Sequence, residues 1–455
     1  MSSIEEMIKR PKSKVLRRAY IKRMLSATGL YETDWFEITE DVKKWGKLKA
    51  KTDETLINRF RFGSNVLKMS NDKGRYNPEN DQASLWYDYV NQQRTLVKLN
   101  VAFLDESITS GIWRQVEWPG EAIWDLDTFD EVQWDEVGVN YIGIVSGDIF
   151  QSSKNEVALN IKPLVSVFQD LPASNLSVWT STGYTAQEFI ESLRDLTSGG
   201  SYVFRPFFGN TTENWVIGTT TVRYANLNTS SSNLIDGKSI WEVVEDLGTA
   251  ENFVPIIKNN GVFFFGPKDA ATTTSQFDFH GLGSHSGKYG HTIKDITRYG
   301  TRISKYYSRV RLKWGEVDTT TSYEIRTSDY TISSTNNPWL YGHKTLSLDN
   351  QFIGSSAVAQ TVTSNIWSEV SSVKKELDLK TSLCPQLKLL DRISVTYDST
   401  PFSGEDLWDS NDWDTQLVWS TAGASSLRFE AENFKIIERE IDLDKLECKY
   451  ILREI

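Results

Sequence analysis

At 455 residues the chain exceeds one ordinary hydrophobic core, and its length suggests about three domains. Hydrophobic residues make up 39% and charged residues 24%, a globular balance, while 61 Asp and Glu against 50 Lys and Arg argue against sequence-independent binding of nucleic acid over the whole surface. No stretch approaches the roughly 18 consecutive apolar residues of a membrane span, and the basic start lacks the apolar core of a secretory signal, so folding in the cytosol is expected.

Residues 1–14 read as a basic arm, part of a stretch with eight bases between Lys9 and Arg23 against Glu5 and Glu6. Such a block suits either a solvated tail or an arm that docks on an acidic neighbour. From Val15 the pattern turns to β-structure. Ala19–Leu25 alternates, Trp35–Thr39 is a short run, and Arg59–Met69 alternates again before a turn at Asn71–Pro78, where Gly74 tolerates positive φ and Pro78 denies a continued ladder. Residues 166–183 form a Ser, Asn, Pro and Gly-rich connector. Beyond it, Thr185-x-x-Glu188 and Ser239-x-x-Glu242 are capping boxes, each opening an amphipathic helix followed by a strand, at Ser201–Phe208 and Val262–Phe265. The first helix is expected to stop at Gly199-Gly200. Tyr306–Glu316 and Tyr323–Ile332 read as strands and Ala357–Val370 as a helix, all assigned to a second β-region.

One arrangement occurs twice. Leu96–Asp105, an acidic Trp-rich insert and Tyr141–Leu164 follow the same order as Leu389–Asp398, a second such insert and Phe434–Ile455. The inserts begin alike, Gly120-Glu121-Ala122-Ile123-Trp124-Asp125 returning as Gly404-Glu405-Asp406-Leu407-Trp408-Asp409. A duplicated β-module is expected: 15–165 with an insert near 106–138, and 294–455 with an insert near 399–426, flanking an α+β middle domain at 166–293. The fold class is therefore mainly β with an α+β middle.

Several stretches resemble a known family. The opening Trp35-x-x-Ile38-Thr39, the turn Asp72-Lys73-Gly74-Arg75-Tyr76-Asn77-Pro78, the segment Tyr141-Ile142-Gly143-Ile144-Val145, the middle run Trp241–Pro267 and the alternating end from Ile437 onward together resemble baseplate or tail-tip hub proteins of tailed bacteriophages. The resemblance implies two tube-like β-barrel domains per chain and a homotrimer that adapts a sixfold tail tube to a threefold spike. It also implies a structural role in the virion after assembly in the host cytoplasm. The implied partners are further copies of the chain, the tail tube or a distal tail protein, the central spike or a tail fibre, and the tape-measure protein, with no membrane and no sequence-specific nucleic acid.

Catalytic, metal and cofactor chemistry finds little footing. Carboxylates flanked by tryptophan, such as Asp125, Asp127, Asp409 and Asp412, fit a glycan-binding or glycan-hydrolysing protein in composition, which is the alternative reading, but their spacing is not diagnostic. The Asp-x-Asp pairs lack the glycine and terminal glutamate of an EF-hand. His280, His285 and His291 match no zinc spacing, and no G-x-S-x-G elbow or Walker loop occurs. Cys384 and Cys448 provide neither a disulfide framework nor a zinc finger, and Cys448 reads as a small buried hydrophobe. The expected interface anchors are the insert tryptophans Trp113, Trp118, Trp124, Trp134, Trp408, Trp413 and Trp419, because an aromatic ring buries a large area at little entropy cost.

Overall fold

The computed structural model describes residues 13–25, 30–52, 59–72, 74–76, 84–86, 94–105, 139–146, 150–153, 155–173, 184–198, 201–209, 211–224, 237–258, 261–267, 277–281, 292–315, 321–326, 338–353, 355–398 and 428–455. The first strands in chain order are β1 (Ser13–Lys22), β2 (Phe36–Glu37), β3 (Val42–Lys44), β4 (Lys47–Thr52), β5 (Phe60–Phe62), β6 (Asn65–Ser70), β7 (Leu96–Asp105), β8 (Val139–Val145), β9 (Phe150–Ser153) and β10 (Glu156–Pro163). Alternation drives them: β6 buries Asn65, Leu67 and Met69, and β10 buries Val157, Leu159 and Ile161, leaving the intervening side chains more exposed. Gly143 in β8 permits close strand approach, since a Cβ there would lie 2.4 Å from Ile161 Cγ2.

These strands make an eight-stranded sheet in the order β2-β1-β7-β8-β10-β6-β3, with β9 beside β10, but β4 and β5 leave it. They join a second eight-stranded sheet built from β18 (Phe277–His280), β19 (Ile293–Thr301), β23 (Lys375–Ser382), β24 (Arg392–Asp398), β25 (Arg428–Asp442) and β26 (Glu447–Glu454), in the order β18-β24-β25-β26-β23-β19. Counted by chain position, β1, β3, β6, β7, β8 and β10 are laid out in the same sequence across their sheet as β18, β19, β23, β24, β25 and β26 across theirs. The first pairs differ in direction, β1 with β7 being antiparallel and β18 with β24 parallel.

The chain passes from one end of each sheet to the other, and local bonds draw those ends together. In the first sheet Ile38 N donates to Ala19 O at 2.8 Å and Ala19 N to Thr39 Oγ1 at 3.0 Å, which curls the sheet. The same contact recurs in the second, where Thr292 N donates to His280 O at 3.0 Å and His280 N to Thr292 Oγ1 at 3.1 Å. No ladder joins the end strands of either sheet among the described residues. One continuous core lies between them, running from Ala19, Leu67, Val97 and Leu159 to Leu377, Ile393, Phe434 and Tyr450.

The run Arg59–Met69, expected as a single strand, divides at Gly63-Ser64 into β5 and β6, which belong to different sheets. The hairpin β4–β5 thereby reaches across: β4 pairs with β25 from Lys47↔Asp442 to Lys51↔Glu438, and Lys47 and Lys49 each lie 2.8 Å from Glu440. Gly46 makes the turn into it, with φ 71° and no room for a Cβ beside Asn65 Oδ1 at 2.1 Å.

The α+β portion has a core of its own. Both capping boxes form, Thr185 with Glu188 opening the helix Ala186–Arg194 and Ser239 with Glu242 opening Ile240–Glu251. The first helix ends at Arg194 rather than at the glycine pair, because Thr197–Ser198 (β12) pairs with Ser201–Tyr202 (β13) after the short β11 (Tyr184–Thr185). The strand expected over Ser201–Phe208 stops at Tyr202; Arg205–Phe208 is helical, with a proline in its first turn where the missing N–H costs nothing. Trp215–Ile217 (β14), Phe253–Ile257 (β16) and Phe263–Pro267 (β17) form a three-stranded sheet, while Arg223–Tyr224 (β15) pairs with β11. In the expected connector, Ser166–Gln169 is a helical turn whose Phe168 stacks on Phe204 at 4.3 Å and contacts Phe208, Trp215, Trp241 and Phe263.

Tyr306–Glu316 and Tyr323–Ile332, expected in the second β-region's sheet, instead supply β20 (Arg309–Trp314) and β21 (Thr321–Arg326) of a separate mixed sheet completed by β22 (Thr345–Asn350). The helix Ser356–Val370 covers it, and Leu312, Phe352, Ile353 and Val362 join the core of the α+β portion around Phe168 and Trp241. The fold is mixed α+β: two sheets on one core and α+β units on another.

Candidate assembly surfaces and buried polar clusters

The insert tryptophans, from Trp113 to Trp134 and from Trp408 to Trp419, and the carboxylates Asp125, Asp127, Asp409 and Asp412 lie outside the described residues. So do His285 and His291; His280 ends β18 and is bonded through its backbone to Thr292. Among the described residues no group of His, Cys, Asp or Glu is arranged to hold a metal ion, and no helix is long and apolar enough to cross a membrane. Cys384 and Cys448 are both buried free thiols, with Cys384 N donating to Cys448 Sγ at 3.2 Å. Burial pushes the Cys448 thiol up, away from the reactive thiolate.

β19 is paired only with β23 among the described residues, and of its side chains only Ile293 is buried. Its two basic positions are engaged within the sheet, Lys294 with Glu447 at 3.1 Å and Arg298 with Asp378 at 3.2 Å. A nine-residue edge of this kind offers unpaired backbone groups to a neighbouring strand. On the first sheet, cations lie over aromatic rings: Lys98 sits 4.7 Å from the Tyr20 ring and 5.0 Å from Trp35, and Arg23 and Arg75 flank Phe36 at 5.3 and 5.1 Å.

Two buried polar clusters were not legible as motifs. In the first, Glu376 on β23 is enclosed by Arg302 at 2.8 Å, Lys305 at 3.2 Å and Arg453 at 3.0 Å, its side chain 1% exposed. Arg453 faces it by strand register and is itself buried. The second lies where β5 meets the helix Ile240–Glu251. A polar groove of about 690 Å³ is lined there by Arg59, Arg61, Lys238 and Glu245 among others. Asp246 binds Arg59 at 2.7 Å and Lys238 at 2.8 Å, and Trp241 Nε1 donates to Glu245 Oε1 at 2.9 Å.

Burial pushes the Glu245 carboxyl from its ordinary 4.5 to about 7, against the opposing pull of Arg59, the Trp241 bond and Arg61. Because the folded state holds this proton more tightly, the contribution of this group to stability is full below pH 4.5 and is lost as pH rises toward 7. Glu245→Gln is expected to abolish this component, which amounts to about 3 kcal/mol. Urea melts of parent and variant at pH 5 and pH 8 check it; a pH-independent difference between them refutes the assignment.

No family model and no curated protein matches the chain. Among solved structures it is similar to a tail protein from Neisseria meningitidis, at 10% identity and a TM-score of 0.47, over 96% of each chain. It is also similar to the 43 kDa tail protein of prophage MuSo2 from Shewanella oneidensis, at 10% identity and a TM-score of 0.46, over 96% of this chain and 98% of that one. A third is prophage tail protein gp18 from Listeria monocytogenes, at 9% identity and a TM-score of 0.41, over 96% and 94%.

Proposed function

We propose that the chain is a structural virion protein, a hub at the tip of a phage tail or tail-like particle that joins the tail tube to the central spike or fibre. In this reading three copies form a ring, and each contributes two tube-like barrel domains, so that six similar units face a sixfold tube while the ring itself keeps threefold symmetry. The observation that supports it is the shared strand order of the two eight-stranded sheets within one chain. A chain with a single such sheet presents three units in a trimer and leaves the mismatch unsolved.

The partners of this reading are further copies of the chain, the tail tube or distal tail protein, the spike or fibre, and the tape-measure protein. The free edge of β19 supports contact between copies, and the tryptophans of the two inserts are the proposed anchors of the interfaces. The role is assembly, and no reaction is assigned to the chain. Native mass spectrometry of the purified protein is expected to give a species of three times the 51.9 kDa chain. A monomer that persists at concentrations well above micromolar, alone and with the tail-tube protein added, overturns the proposal.

A further inference from the structure

In a ring of three copies, the hub reading on which this inference rests, the contact between the two sheets of one chain is a guide to the contact between chains. Within the chain the first sheet lends a strand to the second. β4 leaves between β3 and β6 and pairs along β25 from Lys47↔Asp442 to Lys51↔Glu438. Its lysines match the carboxylates opposite: Lys47 lies 2.8 Å from Glu440 and 3.2 Å from Asp442, and Lys49 lies 2.8 Å from Glu440. The lent strand covers backbone groups that this stretch of β25 otherwise leaves open.

The first sheet contains the counterpart of that stretch. β10 and β26 are both eight-residue strands at the same place in the shared order. Gly143–Val145 of β8 pair with Ile161–Pro163 as Phe434–Ile436 of β25 pair with Leu452–Glu454. Further along, Phe150–Ser153 (β9) pair with Glu156–Ala158 as Glu440–Asp442 pair with Glu447–Lys449. β8 and β9 together thus run along β10 as β25 runs along β26. Along Glu438–Asp442 the edge of β25 opposite β26 holds β4, whereas β9 pairs with β10 alone among the described residues.

We propose that β21 of a neighbouring copy completes the open edge of β9. Its place in the chain selects it first: the β20–β22 unit lies between β19 and β23, the position in the second sheet that the β4–β5 hairpin takes between β3 and β6 in the first. β21 is six residues long, as β4 is, and pairs only with β20 among the described residues, so its other edge is open as well. Charge selects it again. β9 is Phe-Gln-Ser-Ser, with no carboxylate to meet the lysines of a second β4. β21 opens instead with Thr321, Ser322 and Tyr323, and its Glu324 is already held by Arg309 and Arg311 at 3.0 and 2.9 Å. Each copy gives β21 and receives another at β9, a head-to-tail contact by strand addition that can close into a ring.

Full-length Ser152→Cys and Ser322→Cys chains, co-expressed and purified together, are treated with a short bismaleimide; Cys384 and Cys448 are buried, so background linking is low. The pair is expected to give a covalent dimer at least tenfold above either variant alone, and the double variant a covalent trimer. Thr297→Cys, in β19, is the control partner and is expected to give no such link with Ser152→Cys. Where a cysteine disturbs the circular dichroism of its variant, Ser153→Cys or Thr321→Cys takes its place. Native mass spectrometry of the same samples reads the assembly separately. A trimer without the link between β9 and β21, or with β9 linked to β19 instead, overturns this inference and leaves the hub reading standing; the absence of any oligomer overturns both.

Discussion

Removal of Lys445–Ile455 is expected to abolish the folded second sheet. The segment contains β26, which is not an edge: it lies between β25 and β23 and pairs with both over most of its length. Its Cys448, Tyr450 and Leu452 side chains are buried in the shared core, and Tyr450 Oη donates to Cys384 O at 2.7 Å. Burial of large side chains such as Tyr450 and Leu452 is worth roughly 1.5–3 kcal/mol each, so with Cys448 the loss reaches about 5 kcal/mol before backbone bonds are counted. That is comparable with the roughly 5–15 kcal/mol that holds a typical domain together. Two unpaired ladder edges are created as well, which favours aggregation. The truncated chain is therefore expected to be insoluble or to lose its cooperative melt, and with it any oligomer. A chain lacking Met1–Arg10 keeps every described strand and is expected to assemble like the parent. Light scattering and thermal melts of the two truncations decide it; a C-terminal truncation with the parent's melt refutes the central role of β26.

The second large effect is expected at Glu376. Its carboxylate is the common acceptor of Arg302, Lys305 and Arg453, and through them it fastens the start of the β20–β22 unit to the sheet. Glu376→Ala leaves these cations without their acid, and Arg453 is itself buried. Breaking a buried ion pair from one side costs on the order of 3–5 kcal/mol, because the remaining charge stays desolvated. Glu376→Gln retains the shape and one acceptor and is expected to cost less, though still above about 1 kcal/mol. Denaturant melts of both variants measure this. If Glu376→Ala lies within about 0.5 kcal/mol of the parent, the cluster is solvated rather than buried.

Much of the local structure was legible in the sequence for a definite reason. A capping box is closed within four residues, so Thr185 with Glu188 and Ser239 with Glu242 fixed the helix starts without reference to the rest of the chain. Period-two alternation likewise located β6 and β10, since a half-buried strand writes its burial into every second position. The repeated strand, insert, strand and strand order pointed to a common layout, and the two sheets have one. In the described part of the turn expected at Asn71–Pro78, Gly74 has positive φ and Asn71 Oδ1 accepts from Tyr76 N at 2.9 Å, while Asn77 and Pro78 lie outside the described residues.

What the tertiary structure alone decided is pairing. Alternation says that one face is buried and leaves open which sheet buries it, so the run Arg59–Met69 reads as continuous although Gly63 marks the place where the chain leaves one sheet for the other. For the same reason β20 and β21 read as part of the second sheet, whereas their apolar faces meet the helix Ser356–Val370 and the core around Phe168. Local competition explains the strand expected through Ser201–Phe208: aromatic content favours a strand, but Pro206 cannot donate to a ladder and suits the first turn of a helix. The buried clusters were invisible because Arg302, Lys305, Glu376 and Arg453 look like ordinary surface charges in the chain, and only the register of β23 against β26 turns Arg453 toward Glu376. Helix starts and strand alternation are legible in the chain because those signals are closed over a few residues. The choice of partner strands, the crossing of β4–β5 and the burial of paired charge rest on contacts between residues far apart in the chain, and only the folded structure supplies them.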